Sequence, residues 1–390
     1  MTGYHVLIHS NAPWCGSGYG KQCAQLALGL RAAGHEVTVS AFHGLQGTPL
    51  NWHGLTVLPG SQEDQWGHDI LPAHYARTGS ELLITLMDAW VLDPSRLRGM
   101  NMAHWMPVDC TPLGAMDKRC LVNGGGRPIA MSEFGANQLR EAGFDPLYVP
   151  HGIDTDVYAP LASRDDIREE LGMTGRFVAG IAAANQDPMR KGFSESLTAW
   201  AVFARAHPDA LLLVHTRAET RQGVPLVPLI RELGIPEDQI RFGDQYYIAA
   251  GTIGDAEMAR WYAVTDVVVN AAFGEGFGLH PLEAQSCGTP VIVTDCSAMS
   301  ELCGAGWKIR VDHLRDAYWN RGHEAWWVRP SPPEIVRCLE KAHAAWSAGK
   351  LGPMRKRARS FALRYSADRV LADSWEPALK TLMSEPGPAG

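Results

Sequence analysis

No apolar run in this 390-residue chain approaches the ~20 residues that a membrane-spanning helix needs, so an integral membrane protein is not expected. No two of the eight cysteines (Cys15, Cys23, Cys110, Cys120, Cys287, Cys296, Cys303 and Cys338) stand in a Cys-x-x-Cys pair. In a chain this long, with no signal sequence expected, they read as reduced thiols, several of them buried, and a small disulfide scaffold is excluded. The opening stretch Tyr4-His5-Val6-Leu7-Ile8-His9 is too short and polar for a signal sequence. These absences lead to the expectation of a soluble, cytoplasmic protein. Charge is sparse as well: 20% of residues are charged, and the net charge is −7. Neither residues 1–150 nor residues 151–349 carry the basic excess of a dedicated nucleic-acid binder, although a local phosphate-reading groove stays open. What the chain has in plenty is apolar surface, 46% of residues, enough to bury large cores and exclude a disordered chain. At ~100–200 residues per domain, the length fits two or three domains.

Short apolar runs alternate with amphipathic segments. Tyr4–Ser10 predicts a buried strand. The Gly-rich turn Cys15-Gly16-Ser17-Gly18-Tyr19-Gly20 follows, then a helix with Cys23, Leu26, Ala27 and Leu30 on one face, closed by Gly34. A strand over Glu36–Phe42 completes a βαβ opening. Further strands are predicted at Glu81–Met87, Met100–Met106, Pro128–Met131 and Leu147–Val149, with a helix at Glu133–Glu141. The polar segment Thr155–Gly175, which contains Pro160, reads as a linker. A second alternation starts at Phe177–Ala182. It continues through a helix at Ser194–Arg205, strands at Ala210–His215 and Ile240–Gly243 and a helix at Asp255–Val264. It closes with a strand at Asp266–Asn270, a helix at Leu279–Ser286 and a strand at Pro290–Val293. Strands separated by helices imply parallel sheets covered on both faces. Two such series predict an α/β chain of two Rossmann-like domains. Ligands of such sheets bind at the carboxyl ends of the strands, and the cleft between two domains is the expected site.

The strongest local feature is Phe273-Gly274-Glu275-Gly276-Phe277-Gly278-Leu279-His280-Pro281-Leu282-Glu283-Ala284. It follows a strand and opens a helix. Three glycines let backbone N–H groups approach a ligand, and a helix start adds unpaired donors and a positive dipole end, so a phosphate is the natural guest. Glu275 and Glu283 flank the cradle with seven residues between them. A carboxylate accepts two hydrogen bonds at once, which suits a vicinal diol. The competing reading makes Glu283 a complement to a helix N-terminus and Glu275 a loop residue.

The run from Glu275 to Pro290 resembles the E-x7-E signature of the retaining GT-B glycosyltransferases of family GT4. Pro150-His151-Gly152-Ile153-Asp154 resembles that family's domain-junction motif, usually written with Asn before the Gly. Arg190-Lys191-Gly192 resembles its Arg/Lys diphosphate site. The likeness spans most of residues 1–350, specific in the C-terminal half and loose in the N-terminal half. It implies a GT-B fold of two facing Rossmann-like domains with an interdomain cleft. Residues 1–155 would bind the acceptor and 156–350 the nucleotide-sugar. Residues 351–382 would be helical and cross back to the N-terminal domain, leaving 383–390 as a flexible tail.

The same resemblance implies transfer of a sugar from a nucleotide-diphosphate donor to an acceptor hydroxyl, with retention. Glu275 would bind the donor sugar and Glu283 the ribose. Arg190, Lys191 and the backbone at Phe277, Gly278 and Leu279 would stabilise the departing diphosphate, which itself takes the acceptor proton in a front-face step. The family separates its Arg from its Lys by several residues. Here they are adjacent and Asn185 stands nearer the usual Arg position, so Lys191 is the safer assignment.

In the N-terminal half, Gly16, Gly18 and Gly20 form a second strand–turn–helix loop. It departs from G-x-G-x-x-G, and no acid follows the second strand to hold an adenosine ribose, so an NAD-dependent oxidoreductase is the weaker alternative. Gly18 is expected near the donor phosphates or acceptor, or in a purely structural turn. Asp109 and His104 end a predicted strand and are candidates to orient or deprotonate an acceptor hydroxyl, with Asp88 a lesser one. His104 is equally readable as a core side chain. His151 is expected to contact the donor or to hydrogen-bond its own loop.

Asp154-Thr155-Asp156 matches a metal-binding DxD string but completes the junction motif. No other metal-ligand spacing is present, and neither a metal nor a resident cofactor is expected. Lys350 to Arg364 hold six basic side chains and no acid, readable as a solvated face or as a peripheral contact with an anionic surface. Asp312–Trp327 is rich in aromatics, suited to sugar stacking or to packing. The acceptor stays open among a glycan, a lipid, a protein and a modified nucleic-acid base. A non-catalytic sugar-nucleotide-binding protein is the other alternative.

Overall fold

A computed structural model describes residues 3–385. They divide into two compact units. The first runs to Gly152 and takes in Trp319–Trp326 and the chain from Tyr365 on; the second comprises Ile153–Tyr318 and Trp327–Arg364.

The first unit holds β1 (His5–Asn11), α1 (Gly18–Ala32), β2 (Glu36–His43), β3 (Leu50–Trp52), β4 (Leu55–Leu58), α2 (Leu71–Thr78) and β5 (Leu82–Leu86). It continues with β6 (Met102–Met106), α3 (Ala115–Gly124), β7 (Arg127–Ala130), α4 (Glu133–Glu141) and β8 (Leu147–Tyr148). The eight strands form one sheet in the order β3-β4-β2-β1-β5-β6-β7-β8, parallel except where β3 runs against β4. Strands β5 and β6 are buried at every position and are mostly apolar, broken only by Thr85 and His104, which bond each other. Ser17 caps α1, its side chain accepting from the Gly20 N–H at 3.1 Å, and Cys23, Leu26, Ala27 and Leu30 are the buried face.

The second unit holds α5 (Arg164–Glu170), β9 (Phe177–Ala182), α6 (Phe193–Ala206), β10 (Ala210–His215), α7 (Leu226–Glu232), β11 (Ile240–Phe242), α8 (Gln245–Ala250) and α9 (Asp255–Val264). After them come β12 (Val267–Asn270), α10 (Leu279–Ser286), β13 (Val291–Thr294), β14 (Gly306–Ile309), α11 (Pro332–Ser347) and α12 (Leu351–Ala362); the hairpin β15 (Ala317–Asn320) and β16 (Ala325–Val328) is divided, with Trp319–Trp326 counted in the first unit. Its sheet is parallel, in the order β11-β10-β9-β12-β13-β14. The core between sheet and helices is built on Phe177, Trp200, Phe203, Val267, Ile292 and Leu339.

Several expectations are corrected. Thr155–Gly175 is no linker: Tyr158 is buried in the second unit, and Arg168 donates to the Val264 carbonyl and to Asp266. The units meet at Gly152–Ile153, not after 155, and α12 belongs with the second unit. The return to the first unit begins at Tyr365, with α13 (Ala367–Val370) and α14 (Glu376–Ser384). The tail expected from 383 is helical to Ser384, and residues 386–390 lie outside the described residues.

The basic stretch is not a simple solvated face. Arg355 donates to the Thr265 carbonyl and to Asp266, and Arg359 to the carbonyls of Thr155, Tyr158 and Ser286. Lys350, Lys356 and Arg357 remain exposed. Within the aromatic stretch, Tyr318 stacks on Trp327 and meets Phe273 edge-on, whereas Trp319 and Trp326 pair with each other and stay half-exposed. Among the described residues, no helix is long and apolar enough to cross a membrane.

Candidate functional site

In the second sheet the strand order reverses between β9 and β12, where an open parallel sheet leaves a crevice at the carboxyl ends of its strands. Two loops leave the sheet there, 183–192 after β9 and 271–278 after β12. They are tied together through the backbone: the Phe273 N–H donates to the Arg190 carbonyl at 2.7 Å. Gly192 lies against Ala271 at φ 61°, and a Cβ in its place would collide with the Ala271 carbonyl oxygen. Asp187 shapes the turn by accepting from the N–H groups of Met189 (2.7 Å) and Arg190 (2.6 Å).

This geometry delivers the basic pair to the Gly-rich loop. Lys191 Nζ donates to Glu275 Oε1 at 2.5 Å and Arg190 Nη1 to Oε2 at 3.2 Å. Burial alone would raise the Glu275 pKa. The charges of Lys191 and Arg190 outweigh it and hold the carboxyl at about 2. Two cations on one carboxylate leave the cluster one positive charge in excess. The loop 271–277 is buried, but Gly278, Leu279 and His280 open partly to solvent at the start of α10. Gly278 caps that helix in a left-handed conformation, and the backbone N–H groups of the first turn have no intrahelical partner. A positive helix end beside a net-positive side-chain cluster attracts an anion of more than one charge.

Glu283 is the more deeply buried of the two acids. It lies one turn into α10 at 2% exposure, accepting from the Tyr262 hydroxyl at 2.8 Å. The same hydroxyl meets His280 Nδ1 at 2.7 Å. Burial and the Glu283 charge push the Tyr262 phenol well up, so it stays a donor. A diol reaching Glu283 would have to displace that hydroxyl, and His280 is the outward member of the trio. Asn185 is also structural. Its side chain bridges the Arg217 and Val224 carbonyls and the Val224 N–H, which removes it as a replacement for the family's separate Arg. Asp154 caps the N–H groups of Asp156 and Val157 within its own turn, the ordinary use of such a string. Ser297 gave no signal in sequence. It sits at φ 48°, and its hydroxyl accepts from the Glu275 N–H at 3.1 Å.

In the first unit the reversal falls between β1 and β5. A pocket of about 330 Å³ opens there, lined by Asn11, Tyr19, Phe42, Trp66 and Asp88 among others. Gly18 is the first residue of α1, beside it in sequence, and the Tyr19 hydroxyl donates to Asp88 Oδ2 at 2.9 Å. Asp88 and Asp109 both press on Asp117. Burial and these charges raise Asp117 to about 8, so it is protonated near neutral pH while accepting from the Trp90 N–H at 2.9 Å. Asp117 is a site candidate that helix periodicity hid.

His104 does not join this group. It is buried within β6, its ring nitrogens bonded to Thr85 Oγ1 (2.8 Å) and the Gly125 carbonyl (3.1 Å). Burial lowers its pKa to about 4, so it is a core side chain, not an acceptor base. His151 is buried edge-on against Trp105 at 4.6 Å, and burial lowers it to about 3.

Residues 180–318, which contain the Arg190–Lys191–Glu275 cluster, match the family model described as Glycosyl transferases group 1. A "D-inositol 3-phosphate glycosyltransferase" of Arthrobacter sp. (strain FB24) is 32% identical over 187 residues, covering 46% of this chain and 42% of that protein. An "MMP alpha-(1->4)-mannosyltransferase" of Mycolicibacterium hassiacum is 31% identical over 156 residues, 40% of this chain and 33% of that protein. The chain thus spans half or less of the length of these curated relatives. Solved structures give likeness over nearly the whole chain. The sucrose-phosphate synthase of Thermosynechococcus elongatus superposes with a TM-score of 0.74 at 16% identity, over 98% of this chain and 100% of that one. Anabaena HepE, solved in complex with UDP-glucose, superposes at 0.68 and 16% identity, over 96% and 99%. At these identities the likeness shows the fold, that of the GT-B glycosyltransferases with two Rossmann-like domains.

Proposed function

We propose that the chain is a retaining glycosyltransferase that moves a sugar from a nucleotide-diphosphate donor to an acceptor hydroxyl. The observation that carries the reading is the convergence of Lys191, Arg190 and Glu275 at the β9/β12 reversal, beside the open start of α10. In this reading the donor diphosphate sits between the basic pair and the N–H groups around Phe277, Gly278 and Leu279, and Glu275 turns its oxygens to the sugar hydroxyls. His280 and Glu283 lie on the nucleoside side. The bond from the anomeric carbon to the diphosphate oxygen breaks, and the bond to the acceptor oxygen forms on the same face. The acceptor proton passes to the departing phosphate. Arg190 and Lys191 supply the charge stabilisation such a leaving group needs, so the reading assigns no metal to the step.

UDP-sugars are the donors to try first, because HepE was solved with UDP-glucose and a trehalose-6-phosphate neighbour with UDP-2-fluoro glucose. The first unit would receive the acceptor, with the pocket at Asp88 and Tyr19 as its seat and Asp109 and Asp88 as hydroxyl-orienting groups. The test is nucleotide release from a panel of sugar nucleotides. Release from one donor by the wild type, lost in both Lys191→Ala and Glu275→Ala, is the expected result. Folded protein that neither binds nor turns over any sugar nucleotide would overturn the proposal.

A further inference from the structure

At the far end of α6 from Lys191, about 20 Å along a 14-residue helix, two histidines and one carboxylate gather around one point, with a second carboxylate bonded to one of the histidines. His207 follows α6, Asp209 precedes β10, and Glu340 and His343 stand one turn apart on α11. His207, Asp209 and His343 each offer a ligand atom within 4.8 Å of the others. His207 Nε2 lies 3.0 Å from both Glu340 oxygens, and His343 Nε2 lies 3.0 Å from Asp209 Oδ2. The two imidazole rings are 4.0 Å apart.

We propose that His207, Asp209 and His343 form a site for a zinc-like divalent transition-metal ion that clips α6 to α11, with Glu340 placed to steady His207.

Three arguments converge on this assignment. First, ligand atoms about 2.0–2.1 Å from a tetrahedral ion sit about 3.3 Å from one another, close to the 3.0 Å between His343 Nε2 and Asp209 Oδ2. Second, two nitrogen donors with a carboxylate oxygen suit zinc, cobalt or nickel, whereas calcium and magnesium prefer all-oxygen sets. Third, the surroundings are those of a rigid metal site. The Phe177 N–H holds the Asp209 carbonyl at 3.1 Å. Ser347 Oγ stands 3.5 Å from His343 Nδ1, where it can orient the ring. Phe177, Phe203 and Trp346 wall the inner side, with ring centroids 4.4–5.8 Å from the two imidazoles. The site takes no part in the transfer reaction and is independent of its reading.

The test is calorimetric titration of the chelator-treated full chain with zinc chloride, alongside absorption spectra with cobalt(II). One ion per chain is expected, with affinity falling at least tenfold in His343→Ala and in Asp209→Asn. The second variant keeps the side chain's shape in case the first does not fold. Cobalt should give visible d–d bands without a sulfur-to-metal charge-transfer band, and Lys191→Ala should bind as the wild type does. Absence of saturable binding, binding unchanged in both site variants, or a thiolate charge-transfer band would overturn the proposal.

Discussion

Glu275 is ionised, largely buried and held by two cations, so its charge state is a direct readout of the site. Its carboxyl is lowered to about 2 from an ordinary 4.5. The unfolded chain therefore binds this proton at higher pH than the folded one does. The stabilisation is complete above about pH 4.5 and is lost as the pH falls toward 2. Lys191→Met removes the nearer cation and leaves Arg190. Breaking a buried pair outright costs about 3–5 kcal/mol, and with Arg190 still present we expect about 1–3 kcal/mol near neutral pH. The variant should also lose less stability than the wild type between pH 4.5 and 2, as denaturant unfolding in a pH series would show. A second pH effect comes from His9, His104 and His151, lowered by burial to about 4, about 4 and about 3. Each takes up a proton on unfolding below about 6.5, so stability falls as the pH drops from 6.5 toward 4. His104→Gln should reduce the proton uptake on unfolding near pH 5 by about one. At this scale Lys191, Arg190 and Glu275 were legible because the chemistry is local to two short motifs. The burial of Glu283 behind Tyr262 and of His104 under Gly125 was not, because each depends on a partner far away in sequence.

At the scale of elements, the loops matter more than the strands they leave. The strands over Phe177–Ala182 and Ala210–His215 and the helices over Glu133–Glu141, Asp255–Val264 and Leu279–Ser286 stand where periodicity put them. Apolar runs bounded by turn residues announce themselves. The β3–β4 and β15–β16 hairpins did not. Their strands are three or four residues long, and their exposed positions break any clear alternation. Nor could pattern reveal why Gly192 must be glycine, since the reason is the Ala271 carbonyl nearly eighty residues on. Gly192→Ala should destabilise by about 2 kcal/mol or more through both strain and collision. Gly349→Ala, at φ 65° with open space around it, should cost only ~1 kcal/mol. Chemical denaturation of the two variants separates collision from strain. Gly192→Ala should also weaken donor binding, because it shifts the loop that presents Lys191.

At the scale of the whole molecule, the first unit is assembled from separate pieces of chain. Trp375, from the returning C-terminal segment, packs edge-on against Trp105 of β6 at 4.8 Å. Gln22 of α1 donates to the Gly152 carbonyl at 2.8 Å. Trp375→Ala should therefore cost roughly 3–5 kcal/mol, measurable by thermal or denaturant unfolding. The two-domain α/β plan was readable from the repeated strand–helix alternation. The point of return, Tyr365, was not, because α12 is amphipathic like its neighbours and what ties it to the second unit, its inward arginines and its buried Leu351, Ala358 and Ala362, meets partners far away in sequence. The central claim is that Lys191, Arg190 and the start of α10 form a diphosphate site for a sugar nucleotide. The most direct test is calorimetric titration of the wild type and Lys191→Ala with UDP, GDP and ADP, each against its nucleoside. We expect one diphosphate to bind the wild type far more tightly than its nucleoside does, and that difference to vanish in Lys191→Ala. Equal binding of nucleoside and diphosphate, or a diphosphate preference that survives in the variant, would contradict the account.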